Sequence, residues 1–497
     1  MSEPIAISRE GWNKVLQIKN GNTVLFHFEN RKPITVKIFD KARKEIASQE
    51  YVSKLVDVNA LERSHLDGVA ELGDEAVLFI TQDIDNKETL VRIRFNSTNA
   101  KLVAEQKVIQ SASFQKKTTT RFLKLPQDET YTVVAAEGKS GFAEKKVRIE
   151  KYGNKHELTK TVIVSFEQKG YDEVNLIDAC IDIDGGVLAA VELSKIIQYP
   201  NLHEKFLLLA YLAKDADSVK YTKVALPNSF SSYQLFLTNN SFAQSLNVLL
   251  SANSVGFVEN GLNKQIVSFG QQSVLIVNSD FSGQMAKFFE NNRIRQQVYL
   301  NLDTNYDFNG HARKMHTNKY GLSTVIYSGM VQSNKKLGWA ELEGSKKVIG
   351  VLQYNDKGEE VFGYLVPLSW LKHPHQPYQK VFHTSSLADI NDIDGVSTKN
   401  NHYILFNELE GKFNQSLKSV TDSLFNCYQA NPVCYRLNRK KEMTATFLFG
   451  KPEKDDYKQI YAGSGDYNET SGSYTTVLLH SQGSDRKTRI AWVQLEP

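Results

Sequence analysis

Residues 351–370, VLQYNDKGEEVFGYLVPLSW, read as strand, tight turn, strand. Val351, Leu352 and Tyr354 precede Asn355-Asp356-Lys357-Gly358, and Val361, Phe362, Tyr364 and Val366 follow it. β-Branched and aromatic residues on either side of an Asn/Gly turn make a hairpin. Whether this hairpin stands alone or belongs to a series decides the fold.

It belongs to a series. NTVLFHFENRKPITVKIFDKARKEIASQ (22–49) and EAVLFITQDIDNKETLVRIRFNSTNAKLVAEQ (75–106) share a Val-Leu-Phe strand, a polar turn, an alternating strand, a basic turn and a further strand. A third copy is TYTVVAAEGKSGFAEKKVRIEKYGNKHELTKTVIV (130–164), and a fourth begins at GGVLAAVELS and runs to Leu226. The pattern blurs over 227–264 and returns at 273–302, where KFFENNRIRQQV reads as another strand-turn-strand. Later copies start at 323, 402 and 473.

A unit of fifty to sixty residues holds about four strands with their turns. Such a sheet cannot bury both faces alone, but stacking several around an axis buries them all. The expectation is therefore an all-β chain, a β-propeller of about eight four-stranded antiparallel blades, or seven if 227–264 belongs to a neighbour. Separate β-sandwiches are the competing arrangement. The last unit, ending RIAWVQLEP, is one strand short, and WNKVLQIKN (12–20) is spare. The chain is read as one domain, 1–497, with its N-terminal strand closing the last blade. Helical spacing is confined to QSLKSVTDSLFNCYQA (415–430) and DVNALERSHL (57–66).

Composition agrees. The chain has 41% hydrophobic residues, 26 Phe, 22 Tyr and 11 Pro, enough for a packed core and favouring strands over Pro-rich linkers. Sixty basic and 56 acidic residues leave +4, which points away from nucleic acid. The densest basic run, Arg436–Lys441, lies between two strand-like runs and reads as a solvated hairpin tip. Cys180, Cys427 and Cys434 form no zinc-type pair. Cys427 and Cys434 flank the turn pair Asn431-Pro432, so an oxidising compartment would permit a bond there, although spacing alone does not set the Cα separation. Cys180 reads as a small buried hydrophobe. No run of about 20 apolar residues could span a bilayer. The start, MSEPIAISREGW, lacks the pattern of a secretory leader, which fits a cytoplasmic protein or one whose leader has been removed.

GVLQYNDKGEEVFGYLVPLSW, HYILFNELEGKF and GSGDYNETSGSYTTVLLHSQGSDRKTRIAWVQL together resemble the C-terminal half of uncharacterised bacterial proteins of a domain-of-unknown-function family, of Bacteroidetes-like type, over roughly residues 320–497. The resemblance implies export, hence a periplasmic or extracellular location, and it carries no activity to any residue.

Three stretches could hold a site. In NLDTNYDFNGHARK (301–314), Asp303, Asn305 and Asp307 occupy positions 1, 3 and 5 of a Ca2+ loop, but Phe308 and Lys314 stand where glycine and a bidentate Glu belong. Asp182/Asp184 and Asp392/Asp394 each supply two carboxylates and no more. Calcium is the one cofactor these loops suggest; Asp and Asn also favour turns in their own right. WLKHPHQPYQKVFH (370–383) gathers Trp370, His373, His375 and Tyr378 in a Pro-rich extended stretch suited to facing a ligand. His311 and His316 flank Arg313, with Tyr320 nearby. No GxSxG, HExxH, P-loop or GxGxxG occurs, although loops from several blades can assemble a site without any local motif. The leading expectation is a monomeric binding or scaffolding module of the bacterial envelope, taking a glycan, a peptide or an envelope protein. The alternative is a carbohydrate-active enzyme, a lyase or hydrolase, using His311 or His316 with an acid such as Asp307.

Overall fold

The computed structural model describes the chain apart from residues 8–10, 112–117, 126–127, 138–145, 167–170, 199–201, 226–229, 241–244, 261–262, 279–282, 285–287, 290–292, 295, 298–305, 319–320, 334–345, 356, 368–392, 410–429, 439, 441, 451–452, 454–455, 462, 483–484 and 497. For some further strand residues the backbone path alone is described.

The described residues are almost all strand or turn, in eight antiparallel sheets of the β-propeller class. Blade 1 is β1 (Trp12–Gln17), β2 (Thr23–Phe28), β3 (Ile34–Phe39) and β4 (Glu45–Tyr51). Blade 2 is β5 (His65–Leu72), β6 (Glu75–Ile84), β7 (Lys87–Asn96) and β8 (Leu102–Gln110). Blade 3 is β9 (Thr118–Leu123), β10 (Tyr131–Glu137), β11 (Lys146–Tyr152) and β12 (Leu158–Ser165). Blade 4 is β13 (Glu173–Ile181), β14 (Val187–Gln198), β15 (Leu202–Leu212) and β16 (Lys220–Ala225). Blade 5 is β17 (Phe230–Asn240), β18 (Ser245–Asn260) and β19 (Asn263–Asn278), with two short strands on β19, β20 (Gly283–Gln284) and β21 (Phe288–Phe289). Blade 6 is β22 (Tyr306–Thr317), β23 (Ser323–Ser333), β24 (Lys346–Tyr354) and β25 (Glu360–Pro367). Blade 7 is β26 (Asp394–Ser397), β27 (Asn401–Leu409), β28 (Ala430–Asn438) and β29 (Met443–Phe447). Blade 8 is β30 (Asp456–Ile460), β31 (Asp466–Asn468), β32 (Ser473–Gln482) and β33 (Asp485–Gln494). Seven sheets have four strands; blade 5 has five because β20 and β21 divide the fourth place.

The chain divides into two compact units. Unit 1 is Met1–Lys116, Gly153–His156 and His373–Pro497, and so holds blades 7, 8, 1 and 2. Unit 2 is Lys117–Tyr152 and Glu157–Lys372, and holds blades 3 to 6. Within each unit the core lies between successive blades. Phe26, Ile38, Leu78 and Phe95 pack blade 1 on blade 2, and Leu25, Phe39, Val477 and Ile490 pack blade 8 on blade 1. Val134, Ile149, Val191 and Leu208 pack blade 3 on blade 4. Both faces of the middle strands are thus covered: β2, TVLFHF, is buried at every position. Each of its Val, Leu and Phe side chains adds roughly 1.5–3 kcal/mol by leaving water. Outer strands such as β4 and β8 are largely exposed.

Over the described part of 351–370, β24 turns into β25 as expected: the N–H groups of Asn355 and Gly358 donate to Glu359 O and Asn355 O, each at 3.0 Å, and Gly358 takes φ +73°. Three sequence readings come out differently or beyond reach. The described positions of 293–297 are helical, not strand; Ile294 is fully buried, and Arg293 is anchored by Nε to Glu360 O at 2.9 Å. Residues 57–66 hold a 3₁₀ turn, Val58–Arg63, capped by Asp57, and then the start of β5. The stretch 415–430, including Cys427, lies almost wholly outside the described residues.

The chain start takes two separate roles. Trp12–Gln17 pairs β2, because Ile18–Asn22 closes a tight turn in which Gly21 has φ +87°. Ser2 and Ile5 lie instead along β33: their N–H groups donate to Ile490 O and Thr488 O, both at 2.8 Å. Ile490 N–H donates back to Ser2 Oγ at 2.9 Å, and Arg489 Nη1 donates to Ser2 O at 2.7 Å. A second seam joins blades 8 and 1 through residues 463–466. Val15 N–H donates to Ser464 O at 2.8 Å, Lys14 Nζ to Gly465 O at 2.8 Å and Gln17 N–H to Asp466 Oδ2 at 2.7 Å.

Candidate functional site

The first strands of neighbouring blades lie beside one another: β1 by β5 in unit 1, and β9, β13, β17 and β22 in succession in unit 2. Four first strands, β5, β13, β17 and β22, carry a β-bulge against their second strand. The extra residues are Asp67, Ile177, Ser231 and Arg313. A bulge bends the strand and re-aims side chains, which is why bulges gather beside sites.

In unit 2 the β13 bulge is stitched to both neighbours. Arg121 of β9 donates from Nη2 to the bulged Ile177 O at 2.8 Å and sets Nε 3.5 Å from Asp178 Oδ1. Leu237 N–H of β17 donates to Asp178 Oδ2 at 3.1 Å. Burial pushes the Asp178 carboxyl up from its ordinary value, against the pull of Arg121 and the Leu237 N–H. Burial also pushes the Cys180 thiol well up, with Asp178 and Asp182 adding to the effect. This cluster holds strands together, and a thiol so placed is a weak nucleophile.

On β22 the bulge leaves Arg313 exposed between buried Ala312 and half-buried Lys314, with half-buried His316 beyond. It also changes the parity of the strand. Positions 311 and 316 pair with Ser328 and Thr324, which are four apart on β23 although the positions themselves are five apart. For His311 and Asp307 only the place on β22 is described. Asp303, Asn305, Tyr320, Trp370, His373, His375 and Tyr378 lie outside the described residues.

Asp182 is a turn cap. Its Oδ1 accepts the N–H groups of Asp184 at 2.9 Å and Gly186 at 2.7 Å, and its Oδ2 accepts Tyr211 OH at 2.5 Å. Asp394 accepts Tyr474 OH on Oδ2 at 2.7 Å. Among the described residues no group of three His, Cys, Asp or Glu side chains is gathered to hold a metal ion.

The reading of the sequence missed one constellation, at the β5 bulge in unit 1. Thr81 Oγ1 donates to Asp67 Oδ2 at 2.7 Å, and His65 Nδ1 stands 3.5 Å from Asp67 Oδ1. The Asp67 side chain is 2% exposed and that of His65 31%. His-x-Asp in HLDGVAEL is the signal that would have raised it; Thr81 enters only through the strand register, opposite His65. The segment before His65 is fixed by Gln82, whose Nε2 donates to Asp57 O at 2.9 Å and Ser64 Oγ at 2.7 Å while its Oε1 accepts Asp57 N–H at 2.6 Å.

Two other histidines, His27 and His156, are buried structural groups. His27 is buried with Nδ1 2.9 Å from Asn13 Oδ1. His156, in the four-residue segment that belongs to unit 1, has Nε2 3.2 Å from Glu75 Oε2 and its carbonyl held by Arg92. Burial, with Arg92 and Arg94 close by, pushes the His156 imidazole down to about 4.

No family model and no curated protein matches the chain. Among solved structures it is similar to the WD40 domain of SCAP from fission yeast, with TM-score 0.37 and 8% identity over 99% of this chain and 94% of the other. It is similar also to polysaccharide lyase Uly1, with TM-score 0.42 and 10% identity over 87% and 90%. A third is the Hadza microbial sialidase Hz136, with TM-score 0.33 and 8% identity over 78% and 72%. No helix among the described residues is long and apolar enough to cross a membrane.

Proposed function

We propose that the chain is a binding or scaffolding β-propeller of the bacterial envelope, taking a glycan, a peptide or a partner protein at the first strands of its blades. The observation that supports this is the bulged β22 strand, where Arg313 is exposed beside Lys314 and His316. Arginine is enriched among residues that dominate recognition, because one planar cation offers five donors to carboxylate, phosphate or hydroxyl groups. The envelope location comes from the family resemblance of residues 320–497.

The test is calorimetric titration with a panel of neutral and acidic polysaccharides and peptidoglycan-type peptides. Saturable binding by the native chain that weakens tenfold or more in Arg313→Ala supports the reading, since a charged contact at a recognition centre is worth about 1.4 kcal/mol or more. Binding that is indifferent to Arg313→Ala, or no binding to any member, counts against it. Fractionation of the native cells tests the location, and a cytoplasmic protein would refute it.

The second reading is a carbohydrate-active enzyme. The presence of Arg313 and half-buried His316 on one bulged strand favours it, since the strand carries both a cation suited to an acidic sugar and a base. New reducing ends released from any polysaccharide of the panel, and lost in His316→Ala, would select this reading over simple binding.

A further inference from the structure

We infer that His65 is an acid–base residue for a hydroxyl-bearing ligand, water or a sugar hydroxyl, held ready by Asp67 and Thr81 in unit 1. The inference is separate from the β22 reading, because the state of His65 can be read with no ligand present.

The argument begins with Asp67. It is the extra residue of the β5 bulge, so its side chain leaves the ordinary alternation of the strand. Its carboxylate is almost wholly buried, and a buried carboxylate needs donors. Thr81 Oγ1 supplies one to Oδ2 at 2.7 Å. Nδ1 of His65, 3.5 Å from Oδ1, is placed to supply another when it carries the proton. A carboxylate on one ring nitrogen sets the tautomer: the proton stays on Nδ1 and the Nε2 lone pair is left as acceptor. The His65 side chain is 31% exposed, and among the described residues Nε2 has no partner. A long nitrogen–oxygen separation is usual for such a pair before ligand binds.

The support beneath is rigid. Ser64, next to His65, is fully buried and receives Gln82 Nε2 at 2.7 Å. Gln82 also exchanges bonds with both backbone groups of Asp57, which caps the 3₁₀ turn. Three elements therefore meet to fix one half-exposed imidazole, the kind of preorganisation that acid–base chemistry needs. In the step itself a ligand O–H bond breaks and an Nε2–H bond forms. This leaves an oxyanion on the ligand and an imidazolium paired with Asp67, and in the reverse step the proton returns from Nε2 to the same oxygen. Asp67 and Thr81 are positioning residues, because they act through His65.

The test uses the full chain labelled with ¹⁵N-histidine. Long-range ¹H–¹⁵N correlation, assigned by His65→Gln, should show His65 as the Nδ1–H tautomer. Asp67→Asn should move it away from that state. Diethyl pyrocarbonate, read by peptide mass spectrometry, should modify His65 about tenfold or more faster than the buried His27 and His402, and Asp67→Asn should slow this about tenfold, the low end for losing such a partner. Thr81→Val, nearly the same shape, should slow it in the same sense and serves if Asp67→Asn does not fold. An Nε2–H tautomer in the native chain overturns the inference. So does a His65 modification rate that neither variant changes.

Discussion

Replacing Ile5 by alanine measures how far the chain start holds blade 8. Ile5 is 6% exposed and packs with Val15, Leu25, Phe39, Val477 and Ile490. Truncating a buried isoleucine removes about 2–5 kcal/mol, with about 3 kcal/mol as the central figure. Unfolding entropy is about 2.1 cal/mol/K per residue, so 497 residues unfolding together give about 1 kcal/mol/K and a fall in Tm of about 3 °C. If unit 1, roughly half the chain, melts by itself, the same loss lowers its transition by about 6 °C. Differential scanning calorimetry of the native chain and Ile5→Ala therefore reads both the strength of the strap and the size of the unit it stabilises. Ile46→Ala, at a 50% exposed position on β4, is the control and should leave the melt unchanged. A shift below about 1 °C for Ile5→Ala would refute the reasoning, because burial at that depth cannot be removed so cheaply.

Other outcomes follow from single environments. His156 is neutral in the folded chain because its pKa is lowered from 6.5 to about 4. The unfolded chain then binds a proton that the native state refuses, so this contribution, about 3 kcal/mol at most, is complete above pH 6.5 and is lost as pH falls from 6.5 towards 4. Urea unfolding across that window should show a shallower decline in His156→Gln than in the native chain; equal declines would contradict the assignment. Glu105 accepts Tyr51 OH at 2.6 Å and the N–H groups of Lys54 at 3.0 Å and Leu55 at 3.1 Å, so Glu105→Ala should lower urea stability by about 1–3 kcal/mol, and an unchanged midpoint would show that water replaces the carboxylate fully. Gly11 has φ +107°, and a Cβ there would lie 2.2 Å from Phe28 O; Gly11→Ala should cost about 2 kcal/mol or more, checked by the same unfolding curves. Burial pushes Cys434 up to about 12, so iodoacetamide should label it only after unfolding; rapid native labelling would contradict its burial.

The middle strands were legible in sequence because both of their faces are covered. TVLFHF of β2 and the Val77–Ile80 run of β6 are buried throughout, so they appear as unbroken apolar runs between polar turns. The first strands were harder to see. TTTRFL of β9 and HLDGVAEL of β5 mix half-buried and buried positions, and no apolar run marks them. Bulges leave no compositional trace, yet one extra residue at Asp67 or Arg313 decides which positions answer each other across a sheet. The histidines of β22 were legible as candidates, but spacing along the chain could not show that 311 and 316 share a register parity. The Asp182 turn looked like a fragment of a cation loop, because carboxylates that cap turns and carboxylates that ligate cations favour the same short, Asp- and Gly-rich sequences. WNKVLQ was read as spare because the tight turn at Ile18–Asn22, which commits it to β2, is only five residues long.

The pairing of Ser2 with Ile490 also sets an order of events during synthesis. These partners are 488 positions apart, so Ser2 finds its strand only after the chain has been made as far as Ile490. Until β33 is made, the segment that carries Ser2 and Ile5 lacks the strand it pairs with. Contacts of such long separation form late, because the loop they close must be ordered before they repay anything. Mutations that weaken this strap should therefore be felt in the yield of native protein during production as well as in its melting.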